Sequence, residues 1–220
     1  MKEYHKINTI FKRDQKTNKI ILNDWSEPEF ELLKDIKWIG TEKIDGTNIR
    51  VLWNGFNVSF EGKTDKAEIP KHLLEKLFKL FPIELMEKTF GKGYDVDENG
   101  DDFLKQVCLY GEGYGKKIQK GGNYISDDVN FILFDIKIGN WILSREKIEE
   151  IALSMNINIV PVLGEFTLDE AIDYVKQGFI STISENREYI AEGLVLKPKC
   201  ELFKRNGQRV ITKIKYIDFK

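Results

Sequence analysis

Thr41-Glu42-Lys43-Ile44-Asp45-Gly46-Thr47-Asn48 is the stretch on which the reading of this chain turns. A lysine stands two residues before an aspartate and three before a glycine, directly ahead of a segment that reads as a strand. Alternate residues of extended backbone share a side, so the spacing predicts Lys43 and Asp45 on the same side. Gly46 admits a turn or a close approach of the backbone to a ligand. A surface Lys-x-Asp pair before a hairpin would look the same over these few residues. The meaning of the stretch comes from what surrounds it.

Downstream, Ile49, Val51 and Trp53 alternate with other residues, Asn54-Gly55 supplies a tight turn, and Val58 to Glu61 returns, which predicts a hairpin over 49–61. Pro70 opens a predicted helix over 70–81 with Leu73, Leu74, Leu77, Phe78 and Phe81 on one face. A polar, glycine-rich loop is expected at roughly 91–102. Strands are expected from Gln106 to Tyr110, Phe131 to Ile138, Trp141 to Leu143, Asn158 to Leu163, Gly193 to Lys197 and Arg209 to Tyr216. Ser144 caps one helix, with Ile148, Ile151, Ala152 and Met155 as its apolar face. Thr167 with Glu170 makes a capping box for another that ends near Gly178. Hairpins are frequent, and strands and helices do not alternate regularly. This predicts an α+β fold of mainly antiparallel sheets flanked by helices. No repeat or Pro/Ser-rich linker divides the chain, so 1–220 reads as one domain.

Bulk properties exclude several classes. Hydrophobic residues make up 41% and charged residues 32% of the 220, which fits a globular chain rather than a disordered one. No apolar run approaches the roughly 20 residues that cross a bilayer, so no membrane partner is expected. No apolar signal core follows the N-terminus, and Cys108 and Cys200 lack metal-type spacing; both features point to a reducing cytoplasm. The net charge of -2 means that any nucleic-acid surface must gather its basic residues on one face.

Four more motifs follow the first in order: Tyr110-Gly111-Glu112, Phe134-Asp135-Ile136, Glu192-Gly193-Leu194-Val195-Leu196-Lys197 and Lys213-Ile214-Lys215. The series resembles the covalent nucleotidyltransferase superfamily of ATP-dependent DNA ligases, RNA ligases and mRNA capping enzymes. Residues 41–48 look most like the RNA ligase 2 family, with Asn48 where DNA ligases and capping enzymes usually place arginine. The resemblance runs from about residue 36 to 216. It implies a ligase adenylation fold and an ATP-dependent RNA ligase. Such an enzyme carries AMP covalently on Lys43, passes it to a 5′-phosphate end and seals that end to a 3′-hydroxyl, using Mg2+ or Mn2+. A minimal DNA ligase, a capping-type enzyme or a non-catalytic nucleic-acid binder of the same fold are the alternatives. Relatives commonly carry a further domain that binds nucleic acid. No additional C-terminal domain is expected here, so a protein partner is a candidate source of that grip.

Chemistry assigns the parts. Attack on the α-phosphate needs a neutral amine, and a lysine in neutral water is almost wholly protonated. The site must favour the uncharged form by desolvation or by neighbouring positive charge. Lys213 and Lys215, two apart in a strand, can both point to one face. By resemblance they contact the α-phosphate, while Asp45 accompanies Lys43 in the catalytic set. Carboxylates must bring in the metal, and Glu112, Glu192 and Asp45 are the candidates. By resemblance Glu112 and Glu192 hold metal-bound waters or ribose hydroxyls, with the division between them open. Phe134 matches the family's base-stacking aromatic, although a mostly apolar strand would also suit it to the core. Strand alternation predicts Phe134 and Ile136 on one face, with Leu133 and Asp135 on the other. Glu42, Ile44 and Asn48 belong to the nucleotide-binding stretch, Glu42 reading the base edge. Lys197 is a phosphate contact, and Lys63 stands where relatives often carry arginine.

Three other features are weaker. Gly111-x-Gly113-x-Gly115 has the wrong spacing for a dinucleotide fingerprint. Asp95-x-Asp97-x-Asn99-Gly100 starts like a calcium loop but has Gln106 at the twelfth position, so it reads as a solvated loop. Lys116, Lys117 and Lys120 are either a phosphate grip or a solvated basic loop.

Overall fold

The computed structural model describes residues 3–64, 66–119 and 124–220; Lys120 lies outside them. In chain order the first elements are β1 (Asn8–Thr9), β2 (Phe11–Arg13), β3 (Ile20–Trp25), α1 (Pro28–Leu32), β4 (Trp38–Glu42), β5 (Thr47–Trp53) and β6 (Val58–Glu61). Next come α2 (Lys71–Leu80), α3 (Ile83–Phe90), β7 (Tyr94–Val96), β8 (Asp102–Leu104), β9 (Val107–Gly115), β10 (Val129–Ile138) and β11 (Trp141–Ile142). The chain continues through α4 (Arg145–Met155), β12 (Asn158–Ile159), β13 (Val162–Phe166), α5 (Leu168–Gln177), β14 (Gly193–Pro198) and β15 (Thr212–Lys215), and ends in a 3-10 turn. The fold is α+β with mainly antiparallel sheets, as the sequence predicts. Among the described residues, only β1 with β15 and β12 with β10 pair in parallel.

Contacts divide the chain into two compact units, Asp45–Ile159 with Tyr4, and His5–Ile44 with Val160–Lys220. The first is built on a sheet ordered β11-β10-β9-β5-β6, with β12 beside β10. Ile49, Val51 and Trp53 of β5, with Leu109 of β9 and Phe131 of β10, face one way and pack on Leu73, Leu77 and Phe81. The amphipathic helix is needed because one sheet face alone cannot bury these side chains. The second unit holds a sheet ordered β1-β15-β14-β4-β13. Its core gathers Trp38, Leu194, Leu196 and Ile214 against Leu168, Ala171 and Val175 of α5. The capping box of α5 is present, Thr167 and Glu170 each satisfying the other's backbone N–H.

Several expectations change. The helix over 70–81 is followed, after Pro82, by a second helix, α3. The loop at 91–102 contains the β7–β8 hairpin, whose turn is held by Asn99 and Asp101 N–H groups donating to Asp97 Oδ1. All six residues of that hairpin are exposed or half-exposed, so no apolar period betrayed it. The strand beginning near Gln106 runs on to Gly115. The single strand expected from Asn158 to Leu163 is two strands in different sheets, because Pro161 has no N–H to continue a ladder.

Candidate active site

The sheet of the second unit arranges the chemistry by register. Lys43 follows the last residue of β4, and its N–H still donates to Gly193 O at 2.8 Å. Gly193 pairs with Lys215, Val195 with Lys213, and Val195 also with Thr41. Lys197 pairs with Ile39. These positions alternate with the buried Leu194, Leu196, Thr212 and Ile214. Lys197, Lys213 and Lys215 therefore share the face turned from the core, together with Val195 and Thr41. Lys215 and Lys43 converge on one carboxylate. Lys43 Nζ lies 2.6 Å from Glu192 Oε2 and Lys215 Nζ lies 2.7 Å from Glu192 Oε1. All three side chains are largely shielded, which strengthens the attraction by excluding water. Glu192 is held in turn by its carbonyl, which accepts from Tyr216 N–H at 2.9 Å. Gly193 is required here. It sits at φ +147, and a Cβ would meet Ile214 O at 1.9 Å.

Glu42 is the residue before Lys43 and belongs to the opposite face. It is 1% exposed. Its carboxylate accepts from the Ser181 hydroxyl, from Thr182 N at 2.9 Å and from Thr182 Oγ1 at 2.8 Å. Its charge, after burial, helps push the Tyr174 phenol above its ordinary value. The base-edge role expected of Glu42 therefore meets a carboxylate already committed to three protein donors. Ser181 and Thr182 carry no motif and were not legible in the sequence. Ile44 is buried.

The first unit carries the remaining candidates. Asp45 N–H donates to the Tyr124 hydroxyl at 3.1 Å. The chain from Lys43 to Gly46 leaves the strands, so the alternation expected to align Lys43 with Asp45 does not apply across it. A Cβ on Gly46 would meet Gly113 O at 2.3 Å and Glu112 Cγ at 2.8 Å. The glycine is thus explained by close approach to β9, with no turn at positive φ. Asn48 and Glu112 are register partners on the face away from the core. The Asn48 Oδ1 is buried with no hydrogen-bond partner among the described residues. Such an acceptor costs about 1–3 kcal/mol until a donor arrives.

Phe134 departs from simple alternation. Leu133 pairs with Gly111 and Asp135 with Tyr110, so Phe134 is the extra residue of a β-bulge. The bulge switches faces, and Leu133 and Ile136 both enter the core while Phe134 stays out of it. Phe134 instead meets Tyr4, edge to face, with centroids 5.1 Å apart. Asp135 is buried and accepts from the Tyr4 hydroxyl. Burial pushes the neighbouring Cys108 thiol up to about 12 and raises the Tyr110 phenol.

Lys63 is exposed, in a turn held by a residue that sequence reading missed. Arg50 is fully buried, and its Nε donates to Gly62 O at 3.0 Å while its guanidinium pairs with Glu61 at 3.0 Å. Its signal was its place two residues after Asn48, on the same strand face.

No group of three or more His, Cys, Asp or Glu side chains among the described residues forms a metal cage. Asp45 and Glu112 in the first unit and Glu192 in the second each carry a carboxylate, and a hydrated divalent ion carried on a nucleotide needs only one or two such groups.

Among the described residues no helix is long and apolar enough to cross a membrane. The mainly antiparallel α+β architecture is the fold of solved RNA ligases. The chain belongs to the RNA ligase family, whose model matches residues 36–215. Solved structures of a Naegleria gruberi RNA ligase share the fold. An apo variant gives a TM-score of 0.62 at 20% identity, covering 87% of this chain and 53% of that one. A variant with ATP and Mn gives 0.63 at 18%, covering 96% and 60%. A variant with AMP and Mn gives 0.62 at 20%, covering 86% and 52%. This chain thus spans roughly half to three-fifths of those solved chains. No curated protein matches it by sequence.

Proposed function

We propose that this chain is an ATP-dependent RNA ligase that works through a lysyl-AMP on Lys43. The carrying observation is the Glu192 carboxylate shared by Lys43 and Lys215, at 2.6 and 2.7 Å. It joins the first, fourth and last of the ordered motifs in one cluster. The amine of Lys43 gives up its proton, with Glu192 Oε2 in reach as acceptor, and attacks the α-phosphorus of ATP. A P–N bond forms and pyrophosphate leaves. Lys215 and Lys213 stand on the same sheet face to neutralise charge that grows on the phosphate oxygens. AMP then passes to a 5′-phosphate, and a 3′-hydroxyl displaces it as the strand is sealed. Phe134, outside the core, offers a face to adenine, and the unpaired Asn48 Oδ1 offers an acceptor to a bound hydroxyl or amine. A hydrated divalent ion at Asp45, Glu112 or Glu192 would supply charge neutralisation to the triphosphate. The Naegleria gruberi ligase variants solved with ATP and Mn support both ligands. RNA repair in the cytoplasm is the proposed setting, and the free thiols of Cys108 and Cys200 fit it.

The test is incubation with α-labelled ATP and magnesium. An acid-labile label should stay on the wild-type chain and vanish in Lys43→Ala. Comparison of ATP with GTP, and of RNA with DNA ends, separates the ligase from capping and DNA-joining enzymes. Absence of adduct with any nucleotide would leave a nucleic-acid-binding protein of the same fold.

A further inference from the structure

The chain end of β9 opens on a basic cleft that none of the roles above uses. It encloses about 410 Å³, between α2 and the connection from β9 to β10. His72, Lys76 and Lys79 line it from the helix at helical spacing, and Lys116 and Lys117 line it from the connection. Two independent elements thus aim four lysines into one cleft. The arrangement is fixed rather than accidental. His72 Nε2 donates to Lys116 O at 3.1 Å, tying helix to connection. Lys116 N–H donates to Asp128 O at 2.9 Å, and Ile118 is buried in the core. Between these anchors Lys117 and Gln119 hold left-handed backbone, φ +60 and +48, a conformation costing roughly 1–2 kcal/mol without glycine. Burying Ile118 this way leaves Lys116 and Lys117 exposed.

Three acids also line the cleft, Glu75, Asp127 and Asp128. Lys76 pairs with Asp128 at 2.6 Å, and Lys116 with Asp127 at 3.1 Å. Exposed pairs of this kind are worth about 0–1 kcal/mol, so a phosphate can displace them at little cost. Lys79 and Lys117 make no ion pair among the described residues. No Phe, Tyr or Trp lines the cleft, so its lining is mainly a row of charges. Glu112 lies four residues before Lys116, about 13 Å at roughly 3.3 Å per residue.

We propose that this cleft docks the phosphate backbone of the RNA strand, a few nucleotides from the Glu112 end of β9. The proposal rests on the ligase reading for its partner, but its test is separate. The affinity of the full chain for a 5′-phosphorylated single-stranded RNA is measured across a potassium chloride series. In Lys79→Ala/Lys117→Ala the slope of log K against log salt should shrink by about 0.7 per lysine, or about 1.4 in all. Asp127→Asn should tighten binding. Labelling of the chain by α-labelled ATP should be unchanged in both. A control, Lys19→Ala/Lys176→Ala, removes the same charge elsewhere and should leave the slope as in wild type. The proposal is overturned by an unchanged slope in the first variant, by an equal loss in the control, or by wild-type protein that does not bind RNA. Loss of ATP labelling in the first variant would also overturn it, by placing the lysines on the nucleotide. A wild-type chain that binds RNA as described but takes no label would sink the ligase reading alone.

Discussion

Lys43 and Glu192 are separated by 149 residues in sequence and by 2.6 Å in space, and the other oxygen of Glu192 takes Lys215. In the proposed mechanism a carboxylate so placed orders Lys43 and lies in reach as the acceptor of its proton. Its removal should therefore cost more than a stray surface charge. Glu192→Ala and Lys215→Ala should each slow lysyl-AMP formation by about 100-fold or more, in the range of positioned proton-transfer groups. Single-turnover labelling with ATP measures this. Wild-type rates in both would remove the shared carboxylate from the mechanism.

Phe131 and Phe134 lie three apart on β10, yet the bulge gives them different fates. Phe131 is in the core, so Phe131→Ala should destabilise the fold by about 3–5 kcal/mol. Phe134→Ala should leave the denaturation midpoint close to wild type and raise the KM for ATP in adduct formation. Equal destabilisation by both would make Phe134 a core residue.

Glu42 is expected to matter for stability before chemistry. Glu42→Leu leaves the Ser181 hydroxyl and two Thr182 donors without their acceptor. At about 1–3 kcal/mol for each unsatisfied buried group, the urea midpoint should fall clearly, whereas Lys43→Ala should barely move it. A Glu42→Leu protein of wild-type stability and lost ATP binding would restore the base-reading role.

The two cysteines should differ in reactivity. Cys200 is exposed, while burial raises Cys108 to about 12. One thiol should react quickly at pH 8 and the second only on unfolding. The sign of the linkage follows. Because the folded value lies above the ordinary 9.0, Cys108 contributes stability below that pH and loses it as pH climbs toward 12. Cys108→Ala should show a shallower alkaline loss of stability than wild type. Two fast thiols in the native protein would contradict its burial.

Much of the site was written in the sequence, and for a local reason. Lys43, Glu192, Lys213 and Lys215 sit in short motifs at strand ends, where alternation and motif order can be read directly. The Lys213/Lys215 pair faces one side because Ile214 is driven into the core between them. The hairpin turning at Asn54-Gly55, the box of Thr167 with Glu170 and the amphipathic α2 were equally legible, since each depends on neighbours within a turn or two. The two-residue β1, the three-residue β2 and the exposed β7–β8 hairpin were not, because strands so short or so polar carry no period.

What the amino-acid order alone determined was the fold class and the order of the family motifs, with Lys43 in the first of them. What only the tertiary structure decided was which carboxylate meets that lysine and that Glu42 turns inward to Ser181 and Thr182. It also decided that a bulge lifts Phe134 out of the core and that Arg50 holds the turn bearing Lys63. These depend on register between strands distant in sequence. Backbone pairing sets that register through the whole sheet, and no local spacing encodes it.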